Sequence, residues 1–160
     1  MKLSVLPVLA LLGLALGAPG PTPDRGGARP GAVATVRLEV RLEPGLTVNR
    51  LGPSRFWLEN PFTGQRLEAA VGGQPWPGDP LHYLETVRPV RFALKVPASA
   101  RPGEWHRLRL GAQFALCDQA IHVCFVRQVE GSATLEVARS GTDGPIVFAA
   151  VLEVRRSPAR

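Results

Sequence analysis

The 160-residue chain has one methionine, Met1, so it cannot build a methionine-rich copper site. It has no Gly-x-Ser-x-Gly, no His-Glu-x-x-His and no phosphate loop, so the common hydrolase and nucleotide signatures are missing. No apolar run reaches the roughly 20 residues that a bilayer core requires. No segment sustains a helical period, and 16 prolines and 17 glycines cut the chain into short pieces. Lysine is limited to Lys2 and Lys95, and cysteine to Cys117 and Cys124. The only obvious chemistry is therefore that of one cysteine pair.

The N-terminus sets the compartment. A short positive start precedes an apolar run from Val5 to Leu16, and Ala15-Leu16-Gly17 supplies small residues at a cleavage point. This pattern predicts a signal peptide over residues 1–17 and a periplasmic or secreted protein. No cysteine follows the run, so no lipid attachment site is expected. Export places the chain where disulfides form and persist. Residues 18–32 are rich in Pro, Gly and Arg without an apolar period, and are expected to be a disordered leader.

The balance of 19 basic and 13 acidic residues gives a formal charge of +6. A basic chain raises the question of nucleic acid. Here Arg37, Arg41, Arg107 and Arg109 alternate with apolar residues, which is the pattern of a solvated sheet face and not of a basic cluster. Single carboxylates such as Glu59, Glu85 and Asp79, and the histidines His82 and His106, show no recognisable catalytic partner.

Alternation recurs along the chain. Val36, Leu38, Val40 and Leu42 share one face, with Arg37, Glu39 and Arg41 on the other. Val90, Phe92, Leu94 and Val96 repeat the pattern, as do Leu108, Leu110, Ala112, Phe114 and Leu116. Shorter candidates cover residues 55–58, 66–71, 123–129, 134–138 and 146–154. Such strands with turn signals between them predict a single all-β domain over residues 33–155, an antiparallel β-sandwich, with a tail at 156–160. Residues 72–84 form a long irregular stretch, and loops of that length are often functional.

Cys117 continues one apolar run and Cys124 begins the next. If the runs form a hairpin, the cysteines lie opposite each other within disulfide range. A loop this short contributes roughly 2.5 kcal/mol in the chain-entropy model, a modest return for a structural bridge. The spacing leaves both a permanent staple and a redox switch open. Asp118 and His122 flank the pair: a carboxylate raises a neighbouring thiol pKa, and an imidazolium lowers it. Cys117, Cys124 and His122 could supply three zinc ligands, but no metal is expected.

Two turn motifs precede the pair: Val96-Pro97 after the strand from Val90, and Pro102-Gly103 before the strand from Leu108. Then come Gln113-Phe114-Ala115-Leu116-Cys117-Asp118 and Cys124. With the stretch from Leu46 to Pro53, these features resemble the N-terminal periplasmic domain of the DsbD thiol:disulfide interchange proteins over roughly residues 33–138. The chain departs from that pattern in lacking prolines after Cys124. The resemblance implies an immunoglobulin-like fold and a cofactor-free protein-disulfide reductase or electron-transfer component. Its partners would be a DsbD- or CcdA-like membrane thiol carrier, thioredoxin-like proteins and exported disulfide proteins. It further implies that Cys124 joins the partner and Cys117 resolves the mixed disulfide. Residues 72–83 would form a lid, with Trp76 or Tyr83 as its shield.

Overall fold

A computed structural model of the protein describes residues 25–139 and 146–156. The expected signal peptide, residues 18–24 of the leader and residues 157–160 of the tail lie outside the described residues. The strands are β1 (Arg25–Ala28), β2 (Val33–Leu42), β3 (Leu46–Asn49), β4 (Arg55–Glu59), β5 (Arg66–Ala70), β6 (Gly73–Pro75), β7 (Tyr83–Val87), β8 (Val90–Lys95), β9 (Trp105–Asp118), β10 (Val123–Val137) and β11 (Ile146–Val154).

They form an immunoglobulin-like sandwich. Its smaller sheet has the order β11-β2-β8, and its larger sheet runs β1-β10-β9-β3-β7-β6, with β4 and β5 attached beside β9. The alternation of β2 buries Ala34, Val36, Leu38 and Val40 against the larger sheet. Leu108, Leu110, Ala112, Phe114 and Leu116 of β9 supply the opposing face. Phe56 of β4 meets Phe114 edge-on at 5.7 Å in this core. On the outer face Trp57 lies over Gly111, where a Cβ would come within 2.6 Å of the indole and 2.5 Å of the Val129 carbonyl oxygen. Arg66 stacks on the Trp57 ring at 4.3 Å, and the indole is left only 2% exposed.

The structure corrects several expectations. Arg25–Ala28, inside the expected disordered leader, is strand β1 and pairs in parallel with Thr134–Val137 of β10. Backbone pairing needs no side-chain pattern, so a Gly-rich segment can join a sheet edge unannounced. The sandwich is also not wholly antiparallel, because β11 runs parallel to β2. Segments 123–129 and 134–138 are one continuous strand, held by a ladder to β9 from Val123↔Asp118 to Glu136↔Trp105. Glu130-Gly131-Ser132 interrupts the apolar pattern there because Gly131 lies beneath Leu152, whose Cδ2 would stand 2.7 Å from an added Cβ. The stretch 72–84 is not irregular throughout, since β6 pairs with β7 within it.

Candidate functional site

The cysteines occupy the end of the β9–β10 hairpin. Its tight turn places His122 at φ 53°, a left-handed conformation that histidine tolerates better than most side chains. The Ala120 amide donates to Asp118 Oδ1 at 2.9 Å, and the Gln119 amide donates to the Gly45 carbonyl at 3.2 Å. These bonds set the register in which Cys117 faces Cys124. The two form a disulfide with their Cα atoms 4.0 Å apart. That separation marks a non-hydrogen-bonded antiparallel pair, in which each residue turns its N–H and C=O away from the other.

The two halves of the bridge have different surroundings. Cys117 lies in the middle of the sheet between β10 and β3 and is only 2% exposed. Its carbonyl accepts a bond from Thr47 Oγ1 at 3.2 Å, and Gln119 Nε2 donates to that same hydroxyl at 2.6 Å. Cys124 is exposed on β10, in the stretch before Thr134 that β1 does not flank. Val126, two residues along on the same face, is 58% exposed, and Ile121 in the turn is 65% exposed. Cys124 is open to solvent, whereas Cys117 is screened by both neighbouring strands. Thr47 and Gln119 carry no sequence signal, because their role depends on β3 lying beside β9.

Asp118 is next to Cys117 in sequence, so its side chain leaves the other face of the sheet. It is buried and meets Arg156 Nε at 3.1 Å. The Arg156 amide also donates to Glu43 Oε2 at 2.8 Å, its Nη2 donates to the Pro44 carbonyl at 2.6 Å, and its own carbonyl accepts from Arg127 Nη2 at 2.7 Å. Arg156, the first residue of the expected tail, clamps the C-terminal segment to the hairpin and the β2–β3 turn. Replacing it with alanine leaves the buried Asp118 carboxylate without its cation. Arg156→Ala is expected to cost about 2 kcal/mol in urea unfolding, and Arg155→Ala under about 0.5 kcal/mol.

His122 is exposed in the turn. Among the described residues, no group of three or more His, Cys, Asp and Glu side chains is arranged to hold a metal ion, and both sulfurs are committed to each other.

Trp76 and Tyr83 close the β6–β7 hairpin. The Trp76 amide donates to the Tyr83 carbonyl at 3.0 Å, and their rings meet edge-on at 6.1 Å. The indole folds back over Gly78, leaving no room for a Cβ there. Tyr83 opposes Asn49 on β3, and Thr47, two residues earlier, opposes Cys117. Tyr83 and the disulfide therefore share the outer face, with β3 between their strands. The structure brings Cys117 and Cys124 together; Tyr83 lies a strand farther away, beyond β3 and two residues along, and Trp76 packs on Tyr83 within the β6–β7 hairpin.

The tip of that hairpin holds a pair the sequence did not reveal. His82 Nδ1 lies 2.8 Å from Asp79 Oδ2, and the His82 amide donates to Asp79 Oδ1 at 3.3 Å. The side-chain bond from His82 holds the Asp79 carboxyl below its ordinary value. A depressed folded-state pKa means the contribution is present above the unfolded value and lost as pH falls through the folded one. An NMR titration is expected to show Asp79 titrating below a normal aspartate, and His82→Ala is expected to raise it towards the normal value, the backbone amides of residues 81 and 82 remaining in place.

No protein-family model matches the chain, and no curated protein matches it.

Proposed function

We propose that the protein is an exported thiol–disulfide exchange module that relays electrons between a membrane thiol carrier and exported proteins through Cys117 and Cys124. One observation carries this reading: the bridge joins a screened cysteine to an exposed one on the unflanked stretch of β10. Exchange proceeds by thiolate attack on a disulfide through a mixed-disulfide intermediate, and it requires access to one sulfur. In the reduced pair, the Cys124 thiolate attacks a partner disulfide and releases one partner thiolate. The Cys117 thiolate then attacks Cys124, releases the second partner thiolate and closes the Cys117–Cys124 bond. Two electrons pass to the partner and no cofactor is required. The resemblance to DsbD N-terminal domains supports the same assignment, with thioredoxin-like domains as partners and the periplasm or the exterior as the site of action. The same resemblance assigns the shielding role to Tyr83 or Trp76, and Tyr83 is the one that shares the outer face with the pair, on the far side of β3.

A second reading has its own support. Cys117 is buried and its backbone is pinned by Thr47 and Gln119, as suits a permanent disulfide in an immunoglobulin-like binding or assembly module. The reduction potential of the pair separates the two. Structural disulfides in secreted proteins fall below about −300 mV, and the exchange reading expects a higher value. A lower one, with no exchange against a thioredoxin-like protein, rejects it.

A further inference from the structure

The strand that carries Cys124 has an open side. β9 pairs with β10 along its length, but β1 takes the opposite edge only from Thr134 to Val137. Among the described residues, no strand pairs with that edge between Val123 and Ala133. The geometry of the cysteine pair fixes what this edge presents. Cys124 turns its N–H and C=O away from β9, and the two-residue period does the same for Val126, Gln128 and Glu130. Cys117 agrees from the other side, since its carbonyl points to β3 and accepts from Thr47.

Proteins blunt such edges with proline, lysine or very short strands. Residues 123–133 contain no proline and no lysine. Their charged and amide side chains are engaged elsewhere: Arg127 donates to the Arg156 carbonyl, and Gln128 donates to Glu130. Apolar surface lines both sides of the edge. Val126 is exposed beside Cys124 on the outer face. Phe125 and Val129 remain half-buried on the inner face, and a cleft of about 360 Å³ opens between β10 and β11, bounded by Val129, Gly131, Ala150 and Leu152.

Resting on the thiol-exchange reading, the geometry points to an extended, cysteine-bearing segment of the partner protein that binds as an added strand on this edge, its cysteine opposite Cys124. In an added antiparallel strand that residue exchanges both backbone bonds with Cys124 at a Cα separation of about 5.5 Å, inside disulfide range. The sulfurs of Cys117, Cys124 and the partner then stand in one cross-strand row. The Cys124 thiolate attacks the partner sulfur and expels its former bonding partner as a thiolate. Cys117 then attacks Cys124 from the opposite side and expels the partner thiolate. Partner side chains that alternate between apolar and polar suit the two faces, with an inward apolar group reaching the cleft.

The test uses the Cys117→Ser protein and a soluble peptide of about ten alternating valine and threonine residues, with a central cysteine held as its thionitrobenzoate disulfide. Release of the coloured thiolate reports attack by Cys124. Two further peptides carry N-methyl groups on alternate residues, one in each phase, so that each strips donors from one edge only. The expected result is at least about a tenfold slowing for one phase and little change for the other. Equal rates for all three peptides overturn strand addition, as does equal slowing of both phases. Failure of every peptide to react rejects the underlying exchange reading. Concentration-dependent amide protection at Val126 and Gln128 in the protein alone assigns the edge to a second copy and also overturns the proposal.

Discussion

A Cys117→Ser variant is expected to accumulate a lasting mixed disulfide with a thioredoxin-like protein, and a Cys124→Ser variant to accumulate almost none. The asymmetry follows from access. Cys124 is on an exposed strand, while Cys117 is 2% exposed between two others. Under the proposed exchange, Cys117→Ser keeps the attacking thiol and lacks the one that resolves the intermediate. In Cys124→Ser the remaining thiol cannot reach a partner without displacing its neighbours. Non-reducing electrophoresis reads the trapped species directly. Alkylation of the same two variants is expected to differ by at least about tenfold in favour of Cys124, because exchange and alkylation both require access to the thiolate. Equal trapping by the two variants contradicts the assignment of roles.

The second large effect concerns the platform under the hairpin. Phe114→Ala is expected to destabilise the domain by about 3–5 kcal/mol, the usual cost of removing a fully buried phenyl ring. Phe114 is completely buried and stands edge-on to Phe56 at 5.7 Å, so no solvent enters to fill the space. Small domains are stable by about 5–15 kcal/mol in total, so this one ring carries a large share. Urea unfolding measures it: a lower midpoint at unchanged slope fits a cavity, and an unchanged midpoint contradicts the packing described.

Some of this was legible in the sequence. Strict alternation located β2, β8 and β9, and the apolar runs on either side of residues 119–122 allowed a hairpin in which Cys117 would face Cys124. Alternation reports burial of one face, so it works wherever a strand has one wet side. It fails for β3, where Leu46, Thr47 and Val48 are all buried, and for β7, where Leu84 and Val87 are three residues apart across a bulged pairing. It says nothing about which strand lies outermost. The exposure of Cys124 depends on that order, so its accessibility could not be read from local residues. Thr47 and Arg156 escaped for a related reason. Each meets the hairpin from a distant part of the chain, and neither position carries a pattern that announces its partner.

The shortness of the hairpin loop has a reciprocal consequence. In a closed thermodynamic cycle, whatever the Cys117–Cys124 bond adds to folding, folding adds to the bond. A contribution of about 2.5 kcal/mol to the fold corresponds to a reduction potential only about 50 mV lower in the folded protein than in the unfolded chain. A bridge between the two sheets would close a longer loop and couple more tightly. Because this one joins adjacent strands at the rim, opening it leaves the β2–β9 core in place. The proposed exchange requires such an arrangement, because reduced and oxidised molecules would have to share one architecture.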